Sequence, residues 1–477
     1  MKHLFTLLTT AILALPALAG GLPPSVLQAL KTAQIPTASV SIVVQPVGTA
    51  QPLVAHNAAQ PLNPASVMKL VTTYAALDLL GPAWTWKTTA WTENGTVDGV
   101  LNGNLYLKGS GDPRFAIEHL WDLLRQLRVR GIQKIRGDIV LDRTVFDVPA
   151  IDPGAFDDKP MRPYNVGPDG LLINLRALRF TLLPDNSRPR VLLETPSAGL
   201  RIDNQLRSGG GCGSNWKDLI SVRLIPESNG DRLEFSGTYS ARCDEKTLNL
   251  SPLPADAQAG GLIRALWQEL GRTFDGQVRR GTVAPGSQLI ATHESPPLAD
   301  IVRDINKYSN NVMARQVYLA LGNGSGPATA ERARQRISDW LNARGLHFSE
   351  LEIENGSGLS RNERISADSL NRLLLDAWKN PVMPEFVSSM PIVGADGTMK
   401  KRLKDSEASG RAHIKTGTIN GVKAAAGFAL DSQGRRYAVT FLINHPRAQA
   451  GSAAIDALLL WIAQRRVGEK NVVLENE

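Results

Sequence analysis

Three short groups of side chains in this sequence have the chemistry for acyl transfer by a serine. Ser66-Val-Met-Lys69 sets a hydroxyl and an amine three residues apart, a spacing that brings both to one face of a helix. A serine hydroxyl is a poor nucleophile until a base takes its proton. A lysine held out of water beside other cations gives up its own proton more readily, so Lys69 can be that base. Ser309-Asn310-Asn311 adds a second hydroxyl for relaying protons and an amide, Asn311, able to hydrogen-bond a substrate amide. Lys415-Thr416-Gly417-Thr418 pairs a cation suited to a carboxylate with a glycine that lets a peptide lie along a strand edge. Each group is weak alone. Ser214-Asn-Trp-Lys217 repeats the first spacing inside a Gly-rich loop with no helix start and is read as chance.

The surrounding patterns indicate what must hold these groups. Val67, Leu70, Val71, Tyr74, Leu77 and Leu80 recur at helical spacing, with Asn63 as a cap, Pro64 in the first turn and Gly81-Pro82 as a stop. Ser66 and Lys69 therefore sit at the start of a helix over 64–80, beside free backbone N–H groups and the positive dipole end. Residues 38–47 alternate as a strand, and helical periodicity returns over 297–322, 328–344 and 366–379. Asp300–Tyr308 reads as a helical segment leading into Ser309. Two late strands, Val422–Leu430 and Tyr437–Asn444, precede a closing helix over 450–466, and the Lys415 group opens the first of them. Alternation puts His413 on the face of Lys415, as a packing residue or a support behind the site rather than a catalytic group. Between about 89 and 289 the chain changes to short alternating runs broken by Gly and Pro, a mostly β insertion into a helix-and-strand domain.

Composition narrows the class. The 477 residues suggest more than one domain, and 43% hydrophobic with 21% charged residues is ordinary for a globular chain. Two cysteines and seven histidines form no zinc spacing, HExxH and GxxxxGK[ST] are absent, and no metal or cofactor is expected. Lys2 and His3 followed by an apolar run and Ala17-Leu-Ala19 read as a secretory leader over 1–19. The expected compartment is the periplasm, with membrane contact at most peripheral. A net charge of +8 suits an anionic polymer surface, and nucleic acid is not an expected partner. In an oxidising compartment Cys212 and Cys243, both inside the insertion, are expected to form a disulfide.

Taken in order, SxxK at a helix start, SxN later and KTG on a late strand resemble the set shared by penicillin-binding proteins and β-lactamases. With Leu107–Pro113, Gly137–Asp142, Asn355–Arg361 and Pro391–Thr398, nearly the whole mature chain is similar to the penicillin-binding protein 4 type of D-alanyl-D-alanine carboxypeptidase/endopeptidase. The resemblance implies an α+β fold, an α/β/α sandwich with an antiparallel central sheet. It also implies two nested β-rich inserted domains. The catalytic domain would span 20–88 and 290–477, one inserted domain 89–165 and 256–289, and the nested one 166–255. It implies Ser66 as nucleophile, Lys69 as base, Ser309 as proton relay and Asn311 on the substrate amide. Lys415 would take the terminal carboxylate, with Thr416, Gly417 and Thr418 along the bound peptide and the Ser66 and Thr418 amides as oxyanion hole. Arg361 and Asn420 match positions lining a diaminopimelate side-chain pocket, with an ion pair and a turn as their plain readings. Asp157 and Asp158 are candidates for its acidic contact. The implied partners are peptidoglycan stem peptides and β-lactams bound covalently at Ser66.

Two rivals keep the same motifs. A β-lactamase could use Glu245-Lys-Thr-Leu-Asn249 as an ExxLN, or Tyr308-Ser309-Asn310 as a YxN. A non-catalytic penicillin sensor should have lost Ser66, Lys69 or Lys415, and has lost none.

Overall fold

The structure, a computed structural model, describes residues 21–466 except Asn229. The expected leader over 1–19 lies outside the described residues. Among those described, no helix is long and apolar enough to cross a membrane.

The strand runs in the two ends of the sequence build one sheet. Strand β1 (Val40–Pro46), β2 (Val54–His56), β3 (Ala412–Ile419), β4 (Val422–Leu430) and β5 (Arg436–Asn444) lie in the order β2-β1-β5-β4-β3. Every neighbouring pair is antiparallel. Successive residues of a strand face opposite sides, and here both sides are apolar. Ala425, Val439, Phe441 and Ile443 pack toward helices α1 (Pro24–Ala33) and α6 (Ser452–Gln464). Ala424, Ala426, Phe428 and Leu442 pack toward α2 (Lys69–Leu80), α3 (Leu298–Tyr308), α4 (Asn311–Leu321) and α5 (Ala367–Lys379). The result is the expected α+β fold, with helices on both faces of an antiparallel sheet.

One strand differs from the sequence reading. The Lys415 group does not open the Val422 strand; it lies inside a separate strand, β3, at the sheet edge. Asn420-Gly421 makes the turn between β3 and β4, with Gly421 at φ +78°, a conformation glycine adopts without penalty. Helix α1 was not anticipated.

The middle of the chain leaves and returns through two paired strands, Lys87–Thr92 and Gln288–Glu294. They join a five-stranded sheet with Leu105–Lys108, Ile139–Asp142 and Val278–Arg280. This stretch also carries two helices, Ile117–Val129 and Ala255–Glu269, which cover that sheet. Their apolar residues, Leu120, Leu123, Leu124 and Leu127 in the first, recur at three and four, a helical signal inside a stretch read as mostly β. Residues 178–253 form two three-stranded sheets around their own apolar cluster. Cys212 and Cys243 are disulfide-bonded there, with Cα atoms 5.3 Å apart.

Candidate active site

Ser66 owes its position to two asparagines and two glycines. The helix begins not as an α-helix but as a 3₁₀ turn over Ala65–Met68, and α2 continues from Lys69. Three residues per turn eclipse positions i and i+3, which aligns Ser66 with Lys69. Asn63 is not the helix cap expected of it: Pro64 holds that position without a side-chain bond, and Asn63 Oδ1 instead accepts the Ala65 N–H at 2.8 Å. Its backbone exchanges two bonds with the Asn444 side chain at the end of β5, 2.8 and 2.9 Å long. Ala65 holds φ +47°, unfavourable for a residue with a side chain. The chain tolerates it because glycines press on both sides. A Cβ at Gly358 would stand 1.9 Å from the Ala65 carbonyl oxygen, and one at Gly417 would stand 2.5 Å from that of Pro64.

Lys69 is fully buried. Its Nζ donates to Ser66 Oγ at 3.0 Å, to Asn311 Oδ1 at 2.6 Å and to the Ser357 carbonyl. Burial holds its pKa well below the ordinary lysine value; the Lys415 charge adds to this and Glu363 opposes it. Lys415, also fully buried, donates to Ser309 Oγ and to the Thr416 carbonyl, both at 2.8 Å. Burial brings it down to about 7. Ser309 and Asn311 flank a helix break. The periodic stretch over 297–322 divides into α3 and α4 at Ser309, which takes φ +57°. Asn310 caps α4 through Met313 N–H, 3.1 Å away. Hydrogen bonds thus join Ser66, Lys69 and Asn311 into one chain of groups, and Lys415 with Ser309 makes a second pair close enough for the Lys415 charge to act on Lys69.

The other expected residues divide. Arg361 donates to the Asn420 carbonyl at 2.9 Å, and its guanidinium lies 4.5 Å from the Phe156 ring centroid. Arg361 and Phe156 line a cavity of about 440 Å³ with Asp152, Asn165, Arg315 and Glu354. Arg361 has no carboxylate partner among the described residues, so its ion-pair reading does not apply. Asp157 is already occupied, accepting from Tyr164 Oη and Asn165 Nδ2, both at 2.7 Å. Neither Asp157 nor Asp158 lines that cavity, whereas Asp152 does. Thr416 Oγ1 meets Thr398 Oγ1 at 2.8 Å, and Thr418 is exposed on the edge strand. His413, on the same strand, has a buried Nδ1 without a partner among the described residues.

The rival spellings fall away from this chain of groups. It is Ser309 that meets Lys415, while Tyr308 is 71% exposed and Asn310 is a helix cap. The SxN register is the one the fold uses, not YxN. Thr247–Asn249 of the ExxLN spelling pair with the strand Leu178–Leu183 inside the insertion, and Ser214–Lys217 lies at another 3₁₀ turn, Trp216–Leu219.

The sequence profile of the D-Ala-D-Ala carboxypeptidase 3 (S13) family matches residues 24–465. The chain belongs to this family. It is a serine peptidase by that membership, and its SxxK, SxN and KTG groups stand together as described. The D-alanyl-D-alanine carboxypeptidase DacB of Haemophilus influenzae is 26% identical over 421 residues, 87% of each chain. The D-alanyl-D-alanine carboxypeptidase of an Actinomadura species is 26% identical, over 89% of this chain and 81% of the relative. The crystal structure of penicillin-binding protein 4 from H. influenzae superposes with a TM-score of 0.77 at 23% identity, covering 92% of this chain and 99% of that one. Its β-lactam complex gives 0.72 at 24%, covering 91% and 99%.

Several residues that shape this S13 site carried no sequence signal. Phe156 and Asp152 lie in an irregular stretch without periodicity. Asn444 and Ser357 act through contacts with residues hundreds of positions away, Glu363 folds back on Glu354–Gly356, and only the Asn355–Arg361 spelling pointed to that loop.

Proposed function

We propose that this protein cleaves D-alanyl-D-alanine termini and D-Ala–diaminopimelate cross-links of exported peptidoglycan through an acyl-enzyme on Ser66, and that β-lactams acylate the same serine. The observation that carries the reading is the set of partners around Lys69. Two of them, the Asn311 and Ser357 carbonyl oxygens, can only accept. The third, Ser66 Oγ, can accept or donate. A neutral Lys69 therefore keeps two donated bonds and aims its lone pair at the Ser66 hydroxyl, and burial favours that neutral form.

The steps follow. Ser66 Oγ attacks the scissile carbonyl carbon as its proton passes to Lys69, and the backbone N–H groups of Ser66 and Thr418 receive the oxyanion. Each such donor is worth about 3–4 kcal/mol. Collapse breaks the C–N bond, and the proton held by Lys69 passes to the leaving amine with Ser309 as relay, which returns Lys69 to its neutral form. Water then repeats the sequence on the ester, regenerating Ser66. Asn311 Nδ2, left free by the Oδ1 contact with Lys69, holds the substrate amide, and Lys415 with Thr416 takes a terminal carboxylate. Arg361, Asn420 and the Phe156 cavity receive the diaminopimelate side chain of the stem peptide, with Asp152 replacing Asp157 or Asp158 as the acidic candidate. Residues 89–165 with 256–289, and 166–255, act as inserted domains that govern access of large substrates to a catalytic domain of 20–88 and 290–477. The protein works in the periplasm after loss of 1–19.

Digestion of purified cross-linked peptidoglycan, with fragments separated and weighed, tests the reading. Released D-Ala and uncrosslinked stem peptides are expected, both abolished in Ser66→Ala. Penicillin labelling without peptide release would indicate a sensor, and rapid steady-state penicillin turnover a β-lactamase.

A further inference from the structure

The turn that gives Lys69 its carbonyl acceptor is folded around a carboxylate the steps above do not use. Glu363 is fully buried. Its Oε1 accepts the backbone N–H groups of Glu354 (3.1 Å), Asn355 (3.0 Å) and Gly356 (3.2 Å), while Oε2 has no partner among the described residues. What this clamp holds is the floor of the site. The Gly356 carbonyl accepts the Thr72 hydroxyl at 2.7 Å, Ser357 offers its carbonyl to Lys69, and Gly358 abuts Ala65. The titratable groups facing Lys69 are Lys415 from β3, Arg315 from α4 and Glu363 from this turn; Glu363 is the one acid among them, its carboxyl pushed up by burial and drawn back by the three N–H groups and by Lys69. A buried carboxyl with an idle oxygen and no directly bonded cation is costly, and a neutral glutamine could accept the same three N–H groups.

We propose that Glu363 is a positioning residue for the Ser66–Lys69 pair, clamping the 354–358 turn beneath Lys69 and supplying the negative charge of an otherwise cationic cluster. The inference rests on Lys69 being the base. An anion at this place favours protonated Lys69 and so works against burial, Lys415 and Arg315; removing it lets the neutral amine persist to lower pH.

The test is the pH profile of the second-order rate constant for penicillin acylation, measured on the full mature chain. In wild type the acidic limb reports the base. In Glu363→Gln that limb should move to lower pH by about one unit. A limb that stays in place while the rate falls by one factor at every pH overturns the charge role and leaves a plain structural prop. Glu363→Asp keeps the charge but withdraws it by one methylene; it should hold the wild-type limb and lose about tenfold in rate. Wild-type rates in Glu363→Asp overturn the clamp, and if Glu363→Gln does not fold, an acidic limb that leaves its wild-type position in Glu363→Asp overturns the charge role. A wild-type profile with no acidic limb would instead remove the base assignment of Lys69, before any variant is read.

Discussion

Replacing Gly358 by alanine should disable the nucleophile without substituting any residue that reacts. The added Cβ would lie 1.9 Å from the Ala65 carbonyl oxygen and 2.7 Å from the Ser66 nitrogen, where real Cβ atoms keep beyond 3.0 Å. Relief requires a shift of about 1 Å, and both parties are backbone, so no side chain can swing away. Gly358 is held from behind. Ser357 is bonded to Lys69, and Asn355 Nδ2 donates to the Leu359 carbonyl at 3.1 Å. The displacement therefore falls on Ala65 and Ser66. The Ser66–Lys69 contact, 3.0 Å now, would open to about 4 Å, too long for direct proton transfer, and a 1 Å misplacement costs on the order of 10² in rate. The φ of +76° at Gly358 adds about 1–2 kcal/mol of strain. Mass-spectrometric rates of penicillin acylation should drop about 100-fold, with melting lowered by a few degrees. Gly434→Ala is the control: φ is +79° and nothing lies within 4 Å, so it should lose comparable stability and keep full acylation. Acylation by Gly358→Ala within about threefold of wild type would refute the reasoning.

Other consequences are as direct. Lys415→Ala should slow acylation by peptides with a free D-Ala carboxylate about 10–100-fold more than by amide-capped ones, the worth of a charge-assisted bond, whereas Lys69→Ala should slow both alike; no preference in Lys415→Ala refutes carboxylate docking there. Lys415 falls from 10.5 to about 7 on folding, so between those values the unfolded chain binds more protons and stability rises with pH. Lys415→Met should accordingly melt higher than wild type at pH ~7, with the gain shrinking toward pH ~10; calorimetry at the two pH values shows whether it does. Reducing Cys212–Cys243, which closes a sequence separation of 31, should cost the insertion roughly 3–4 kcal/mol and leave penicillin acylation intact. Two cysteines alkylated without reductant would show that the bridge does not form.

What could be read from the sequence was whatever depends on near neighbours in the chain. Ser66 and Lys69 are one turn apart, Ser309 and Asn311 flank one helix break, and Lys415 to Thr418 lie on one strand, so spelling and periodicity reached them. The end of α3 at Tyr308 agrees with the reading of Asp300–Tyr308 as a segment leading into Ser309, but the apolar face that runs on over 297–322 gives no sign of the left-handed backbone at Ser309 that divides α3 from α4. Strand β3 was missed because Ile419 and Val422 read as one run across the Asn420-Gly421 turn. The supports of the nucleophile were beyond reach for another reason. Asn63 meets Asn444, 381 positions on, and Lys69 meets Ser357 across 288, distances at which a sequence leaves no periodic trace. Asp157 looked available because nothing in its own segment announces that Tyr164 and Asn165 occupy its carboxylate.

The place of β1 in the central sheet sets an order of assembly. Val40 to Pro46 pair along their whole length with Ile443 to Tyr437, so the first strand off the ribosome must wait for nearly the last. The paired entry and exit strands, Lys87–Thr92 and Gln288–Glu294, allow the middle of the chain to close on itself long before that, while contacts of high sequence separation come late. Because Asn444 is also the residue that grips Asn63, an unfinished chain has its serine and its lysine but no seat to hold them in register. Acylating power is in this sense a property acquired at the end of synthesis, and a nascent chain stalled before β5 would be inert toward penicillin while already carrying a folded middle.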